Sequence, residues 1–287
     1  MTKPPARATV SATAPRDLQA VPLWMHAAFP VAGVVSIVSL VGIFSTNFYA
    51  RETANWQAQA IGQDWADLLI AVPWLVSAGA FAARGSRRAS LVLAAGLLYI
   101  FYEFVIYGFA LHFNVLFLPY CAVLGACFFS LSALGLHYAR ERVDHWYSPE
   151  TPVRVPGVVL LGVGVSFAFA WLSEVVTALV SGTIPASIAD AGTVTNPVFL
   201  IDLSVVLPAH LIAGVSILRR RPMGLWLAPI LLGFDVLMAL SLAAMMWIVG
   251  QRGQPTSQAV AFAMLGLALV SGLTLGRLLR GLGSTAE

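Results

Sequence analysis

Eight apolar stretches of about 20 residues or more fill almost the whole chain, near 24–48, 65–84, 89–112, 115–137, 155–180, 197–218, 223–249 and 257–279. As helices rising 1.5 Å per residue, each is long enough to cross a hydrocarbon core of about 30 Å. Of 287 residues, 59% are hydrophobic and 10% charged, too little polar cover for the surface of a water-soluble domain. The expected fold is therefore all-α, a polytopic transmembrane bundle of about eight spans. The segments between spans leave no room for a soluble catalytic domain.

Residues 1–22, rich in Pro, Ala and Thr, read as a disordered cytoplasmic tail. The apolar run that follows is too long for the core of a signal peptide and is taken as the first span. The remaining divisions are a four-helix unit over 23–138, a cytoplasmic linker over 139–154, a second four-helix unit over 155–281, and a short cytoplasmic tail over 282–287.

Charge supplies an orientation. With the amino terminus inside, Lys3, Arg7, Arg16, Arg84, Arg87, Arg88, Arg140, Arg142, Arg154, Arg219, Arg220, Arg221, Arg277 and Arg280 fall on the cytoplasmic side. Only Arg51 and Arg252 fall outside, so the positive-inside rule places both termini in the cytoplasm and agrees with an even number of spans. The net charge of +3 calls for no nucleic acid; anionic head groups of the bilayer suffice as partners. One Lys to fifteen Arg suggests a GC-rich bacterial genome, and with it a location in the inner membrane.

An internal repeat stands out. Residues 67–84 (DLLIAVPWLVSAGAFAAR) and 202–219 (DLSVVLPAHLIAGVSILR) share Asp-Leu-x4-Pro-x4-Ala-Gly-x4-Arg without a gap. Asp67 matches Asp202, Pro73 matches Pro208, Gly79 matches Gly214 and Arg84 matches Arg219. An offset of four spans gives both copies the same orientation, so the expected architecture is two parallel four-helix repeats about an axis along the membrane normal. Each proline removes an N–H and crowds the carbonyl four residues earlier, which predicts a kink or polar notch in the second and sixth helices. The glycines predict close helix contact, and the arginines predict helix ends held at the interface. Asp64 reads as an N-cap, which would put Asp67 in a first helical turn where an acid is favourable. Asp202, six residues after Asn196, lies deeper.

A carboxylate in mid-membrane costs at least ~2.5 kcal/mol, so the acids within the spans are the candidate functional groups. Glu103 on span three and Asp235 on span seven occupy corresponding spans of the two units, about one helical turn apart. Asp67, Asp202, Glu174 on span five and His210 on span six complete the ionisable set. Tyr99, Glu103 and Tyr107 recur every four residues, so two phenols flank the acid on one face, with Tyr102 beside them. Asp235, Met238, Leu242 and Met245 form a softer stripe on span seven. Most of these groups lie toward the outer half, predicting a polar cavity that opens outward. Each also has a plainer explanation: His210 as a hydrogen-bonded packing residue, Glu174 as a group reaching the interface, and His112 with Asn114 as shapers of a turn. On span eight, Ala268, Gly272 and Gly276 make a small-residue ridge suited to packing within the fold or in a homo-oligomer.

Several chemistries are excluded. Lys3, in the tail, is the only lysine, so no retinal Schiff base forms in the bundle. There is no phosphate-binding glycine loop, no H-E-x-x-H and no nucleophile elbow. Haem held between helices usually needs a histidine from each side, and only His210 is central. Cys121 and Cys127 point to different faces of one helix and suit packing better than metal binding. No metal is expected, and no particular cofactor is implied. Three functions fit: a transporter or permease for a small molecule or ion, with proton coupling; an intramembrane enzyme acting on a lipid or quinone; and a non-catalytic assembly or sensory partner. An enzyme predicts convergence of Glu103, Asp235 and His210, whereas a transporter predicts that they line one cavity without converging.

Overall fold

A computed structural model describes residues 26–141 and 143–282; the expected tails, apart from Leu282, lie outside the described residues. Eight main helices follow one another: α1 (Ala28–Phe44), α2 (Ala54–Ala82), α3 (Arg87–Ala110), α4 (Phe117–Arg140), α5 (Arg154–Ser181), α6 (Pro197–Leu218), α7 (Pro222–Gln251) and α8 (Gln258–Arg280). Seven of them are long and apolar enough to cross a membrane, which marks a multi-pass membrane protein; α1 is apolar but has 17 described residues. Among the described residues the only β pairing is one isolated bridge, Tyr147 with Leu282.

Local chemistry sets the helix starts. The side chains of Thr53, Ser86, Asn196 and Ser257 accept from backbone N–H groups of the first turns of α2, α3, α6 and α8. Pro197 and Pro222 occupy first helical positions, where their missing N–H costs nothing. Gly182 closes α5 in the left-handed conformation.

The second span differs from the sequence expectation. The helix starts at Ala54 rather than near 65, so Asp64 is not an N-cap but an interior residue, 0% exposed. Asp67 consequently loses its first-turn explanation and is also 0% exposed, in mid-helix.

Both helices that carry the repeated Asp-Leu-x4-Pro pattern change geometry at the matched acid. Asp67–Ala71 and Asp202–Val206 are five-residue π turns, closed by Val72 N–H donating to Asp67 O and Leu207 N–H donating to Asp202 O, five residues back. The widened turn takes up the proline, which has no N–H to give and would crowd an ordinary α turn.

The helices contact one another in two rings. In the first, α1 packs on α2, α2 on α3, α3 on α4 and α4 on α1; in the second, α5 packs on α6, α6 on α7, α7 on α8 and α8 on α5. Between the rings α7 packs against α2 and α3, and α3 against the start of α6; α7 also reaches α5. Burial follows: 67% of the most apolar 18-residue stretch of α3 and of α7 is buried, against 28% for α4 and α5 and 22% for α8, so α3 and α7 form the centre. Exposed Phe81, Phe129, Phe169, Leu179 and Leu269 lie on the periphery, as contact with lipid requires.

The matched glycines do permit close approach. A Cβ on Gly79 would lie 2.8 Å from that of Ala28 on α1; one on Gly214 would lie 2.8 Å from Leu161 Cγ and 3.1 Å from Gly157 O on α5. The segment between the rings folds back on the arginine-rich end. A 3-10 turn spans Val143–Trp146, Ser148 N–H donates to Gly281 O at 3.3 Å, and Arg220 donates to Pro149 O and Thr151 O, each at 2.7 Å.

Candidate functional site

A cavity of about 490 Å³ occupies the arginine-poor half of the bundle, a volume typical of small-molecule sites. Its walls come from α2, α3, α5, α6, α7 and α8, and the loop around Ser187 and Asp190 lines it at the same end. Glu103, Asp190, Asp202, Asp235 and His210 line it, and among the described residues no Lys or Arg does. The remaining wall is largely aromatic or thioether, including Trp171, Phe234 and Met238.

One acidic cluster joins α2 to α3. Gln63, Asp64 and Asp67 lie within five residues on α2, so a single stretch of helix presents an amide and two carboxyls to its neighbours. Tyr49, between α1 and α2, donates to Asp64 Oδ2 at 2.8 Å, and Tyr107 of α3 donates to Asp64 Oδ1 at 2.9 Å. Asp64 is thus built as an acceptor, with a phenol on each oxygen. Burial, with Asp64 opposite, holds the Tyr49 phenol well above its ordinary pKa, so it remains a donor. Gly42 of α1 makes this contact possible: a Cβ there would lie 2.7 Å from Tyr49 Oη and 2.8 Å from Asp64 Cγ.

Asp67 Oδ1 accepts from Gln63 Nε2 at 3.1 Å and from the Tyr99 phenol at 3.2 Å. Tyr99 also meets the Gln63 amide, and it shares a hydrogen bond of 2.6 Å with Ser241 Oγ on α7. Apart from each other, Asp67 Oδ2 and the two oxygens of Glu103 have no partner in hydrogen-bond geometry among the described residues, and these two carboxyls face one another. Two buried acids so placed are stable when a proton lies between them, one carboxyl donating to the other. The flanking phenols make their hydrogen bonds to Asp67 and Asp64, while Tyr99 also stands beside Glu103 as the four-residue spacing suggests.

The second cluster joins α5, α6, α7 and α3. Trp171 Nε1–H donates to Asp202 Oδ2 at 2.7 Å, and Tyr102 faces the same carboxyl. Two turns further along α6, His210 Nδ1 lies 2.7 Å from Val206 O, and its Nε2 lies 2.8 Å from Asp235 Oδ1. A carbonyl only accepts, so Nδ1 carries hydrogen. The other edge then has two states: a neutral imidazole accepting from protonated Asp235, or an imidazolium donating to its carboxylate. Either way one proton lies between His210 and Asp235. Asp235 Oδ2 has no partner among the described residues.

Of the groups singled out in the sequence, Glu103, Asp202, Asp235, His210, Tyr99 and Tyr107 line one cavity, and Asp67 lies directly behind it. Glu174 does not join them: its Oε1 accepts from Ser187 N–H at 3.1 Å, where it ties down the loop that carries the short helix Ala186–Ala191. His112 and Asn114 shape a turn, His112 meeting Glu52 through both backbone N–H and Nδ1. Sequence reasoning missed Asp64, Gln63, Tyr49 and Trp171. For the first two the available signal was the run Gln63-Asp64-x-x-Asp67, whose side chains share a helix face. No group of three metal-ligating side chains occurs among the described residues. His210 and Asp235 converge while Glu103 pairs elsewhere on the wall. No protein-family model, curated protein or solved structure matches the chain, so what the site does is read from its chemistry.

Proposed function

We propose that this protein is a proton-coupled carrier of a small solute, built from two parallel four-helix repeats with the cavity at their interface and both termini in the cytoplasm. The observation that carries the reading is one ligand-sized cavity lined by separate proton-holding groups: Glu103, backed by Asp67, and the His210–Asp235 pair. Groups that exchange protons while lining a solute site are what coupling needs. The repeat is supported by the π turn that begins at each matched Asp, by the two rings of like connectivity, and by Gly79 and Gly214 each meeting the first helix of its own ring. On the positive-inside rule the cavity faces outward.

An intramembrane enzyme acting on a lipid or quinone is the second reading, favoured by the His210–Asp235 hydrogen bond as an acid–base pair. Proteoliposomes with an imposed pH gradient decide between them. Solute-dependent proton flux, abolished by Glu103→Gln and by Asp235→Asn in folded protein, is expected of the carrier. Chemical conversion of a lipid or quinone without net flux would move the assignment to an enzyme. Variants indistinguishable from wild type in every assay would leave an assembly partner.

A further inference from the structure

Among the described residues no side chain with a fixed positive charge stands in the wall of the cavity to balance its acids. Four carboxyl residues line it, and among the described residues the only basic side chain in the wall is His210, already hydrogen-bonded to Asp235. Glu103 is 3% exposed, with no N–H or hydroxyl of the described residues in hydrogen-bond geometry on either oxygen and only the Asp67 carboxyl facing it, and Asp235 Oδ2 is likewise open. Burying a carboxylate with neither a counter-charge nor a donor is strongly unfavourable, so an empty Glu103 must hold or share a proton. A bound cation would remove that requirement.

The rest of the wall states what kind of cation. Trp171 and Phe199 stand 5.3 Å apart, Tyr102 and Phe234 5.6 Å apart edge to face, and Met238 and Met245 add polarisable surface. A hydrated inorganic ion gains little there and lacks a cage of oxygens. Aromatic faces attract an organic cation through their quadrupoles and also bury its hydrocarbon.

The structure assigns the cavity to an organic cation with apolar substituents, an ammonium or phosphonium, with Glu103 as its counter-charge. The assignment rests on the carrier reading for its purpose, although binding itself does not require transport. Charge balances in the exchange: the cation enters carrying +1, the proton leaves Glu103, and the pocket keeps its net charge. Glu103 is faced by Asp67 and Asp64 from α2 and by Tyr99 and Tyr107 on its own helix, all acids or phenols. The proton and the cation therefore compete for one negative site.

Tetraphenylphosphonium and tetraphenylborate have nearly the same shape and opposite charge, and equilibrium dialysis against the purified protein in detergent, corrected for empty micelles, compares them. The phosphonium is expected to bind at least tenfold more tightly than the borate. Its affinity should fall as pH falls, approaching tenfold per unit, with Glu103→Asp retaining binding and Glu103→Gln losing at least tenfold. Equal or tighter binding of the borate, no binding of the phosphonium, or phosphonium binding indifferent to pH overturns the assignment, and these results need only wild-type protein. The carrier reading fails separately. Phosphonium binding without any proton flux in proteoliposomes retires the carrier and keeps the cation site. Flux driven only by neutral or anionic solutes, with no phosphonium binding, does the reverse.

Discussion

Two glycines on α1 give one substitution two opposite outcomes. Replacing a helical glycine by alanine ordinarily stabilises by up to about 1 kcal/mol, through lost backbone freedom in the unfolded chain. Gly33 is exposed, and beyond its own stretch of helix backbone no atom lies within 4 Å of where a Cβ would stand, so Gly33→Ala should show that gain. At Gly42 the new methyl would fall on the Asp64 carboxyl, 2.8 Å from its Cγ, and 2.7 Å from Tyr49 Oη. Overpacking of this kind costs about 1–3 kcal/mol. Displacing the phenol breaks a buried hydrogen bond and strands a carboxyl oxygen, at a cost of about 1–3 kcal/mol. After deducting the propensity gain, Gly42→Ala should destabilise by about 1–5 kcal/mol. At about 2–4 °C per kcal/mol for a chain of this size, the unfolding midpoint in detergent should drop by several degrees, whereas Gly33→Ala raises it by a few. Combining Gly42→Ala with Tyr49→Phe should cost clearly less than the sum of the two, since the hydroxyl is one of the atoms in the way. Midpoints that move together in the two alanine variants, or an unchanged Gly42→Ala, would show that α1 does not seat on Asp64.

Asp235→Ala should destabilise by about 3–5 kcal/mol by stranding His210 in the interior, whereas Asp235→Asn, whose amide can serve a neutral imidazole, should stay much nearer wild type in thermal unfolding. Equal losses would contradict the hydrogen-bond assignment. Trp171→Phe keeps a ring in place but removes the donor to Asp202 Oδ2 and should cost about 1.5–3 kcal/mol; an unchanged midpoint would mean that another group takes over the carboxyl. Glu174→Gln should leave solute binding and proton flux at wild-type levels, because that residue lies outside the cavity wall; a loss comparable to that of Glu103→Gln would place it in the pathway after all.

The helices were legible because lipid imposes long apolar runs, and α6 begins and ends where the sequence put it, at 197 and 218. The acids were legible for the same reason: Glu103, Asp202 and Asp235 stand out against apolar surroundings, and all three line the cavity. Asp64 was hidden by the converse. The first part of α2, ANWQAQAIGQDWA, is too polar to resemble a span because it packs against α7 and the cavity rather than lipid, so its start was sought eleven residues too late. Glu174 misled in the opposite way: an acid near a helix end looks intramembrane by position, yet its carboxylate turns to a loop N–H. That Trp171 and Tyr102, from helices far apart in the chain, meet one carboxyl is a tertiary fact with no local signature.

A π turn is what an α-helix makes of one surplus residue. In α2 and α6 that surplus falls directly after the acid, so everything on the amino-terminal side is rotated by about 100° relative to an unbroken helix. Deleting a single residue from either turn would leave a continuous helix that still crosses the bilayer, yet would swing Asp67 with Gln63 and Asp64, or Asp202, away from their partners. Length variation at these two places is thus a different kind of lesion from substitution. On the proposed duplication, the inserted residue and its acid were already present in the ancestral four-helix unit. Only their company diverged afterwards, an amide joining a phenol around Asp67 and an indole joining a phenol around Asp202.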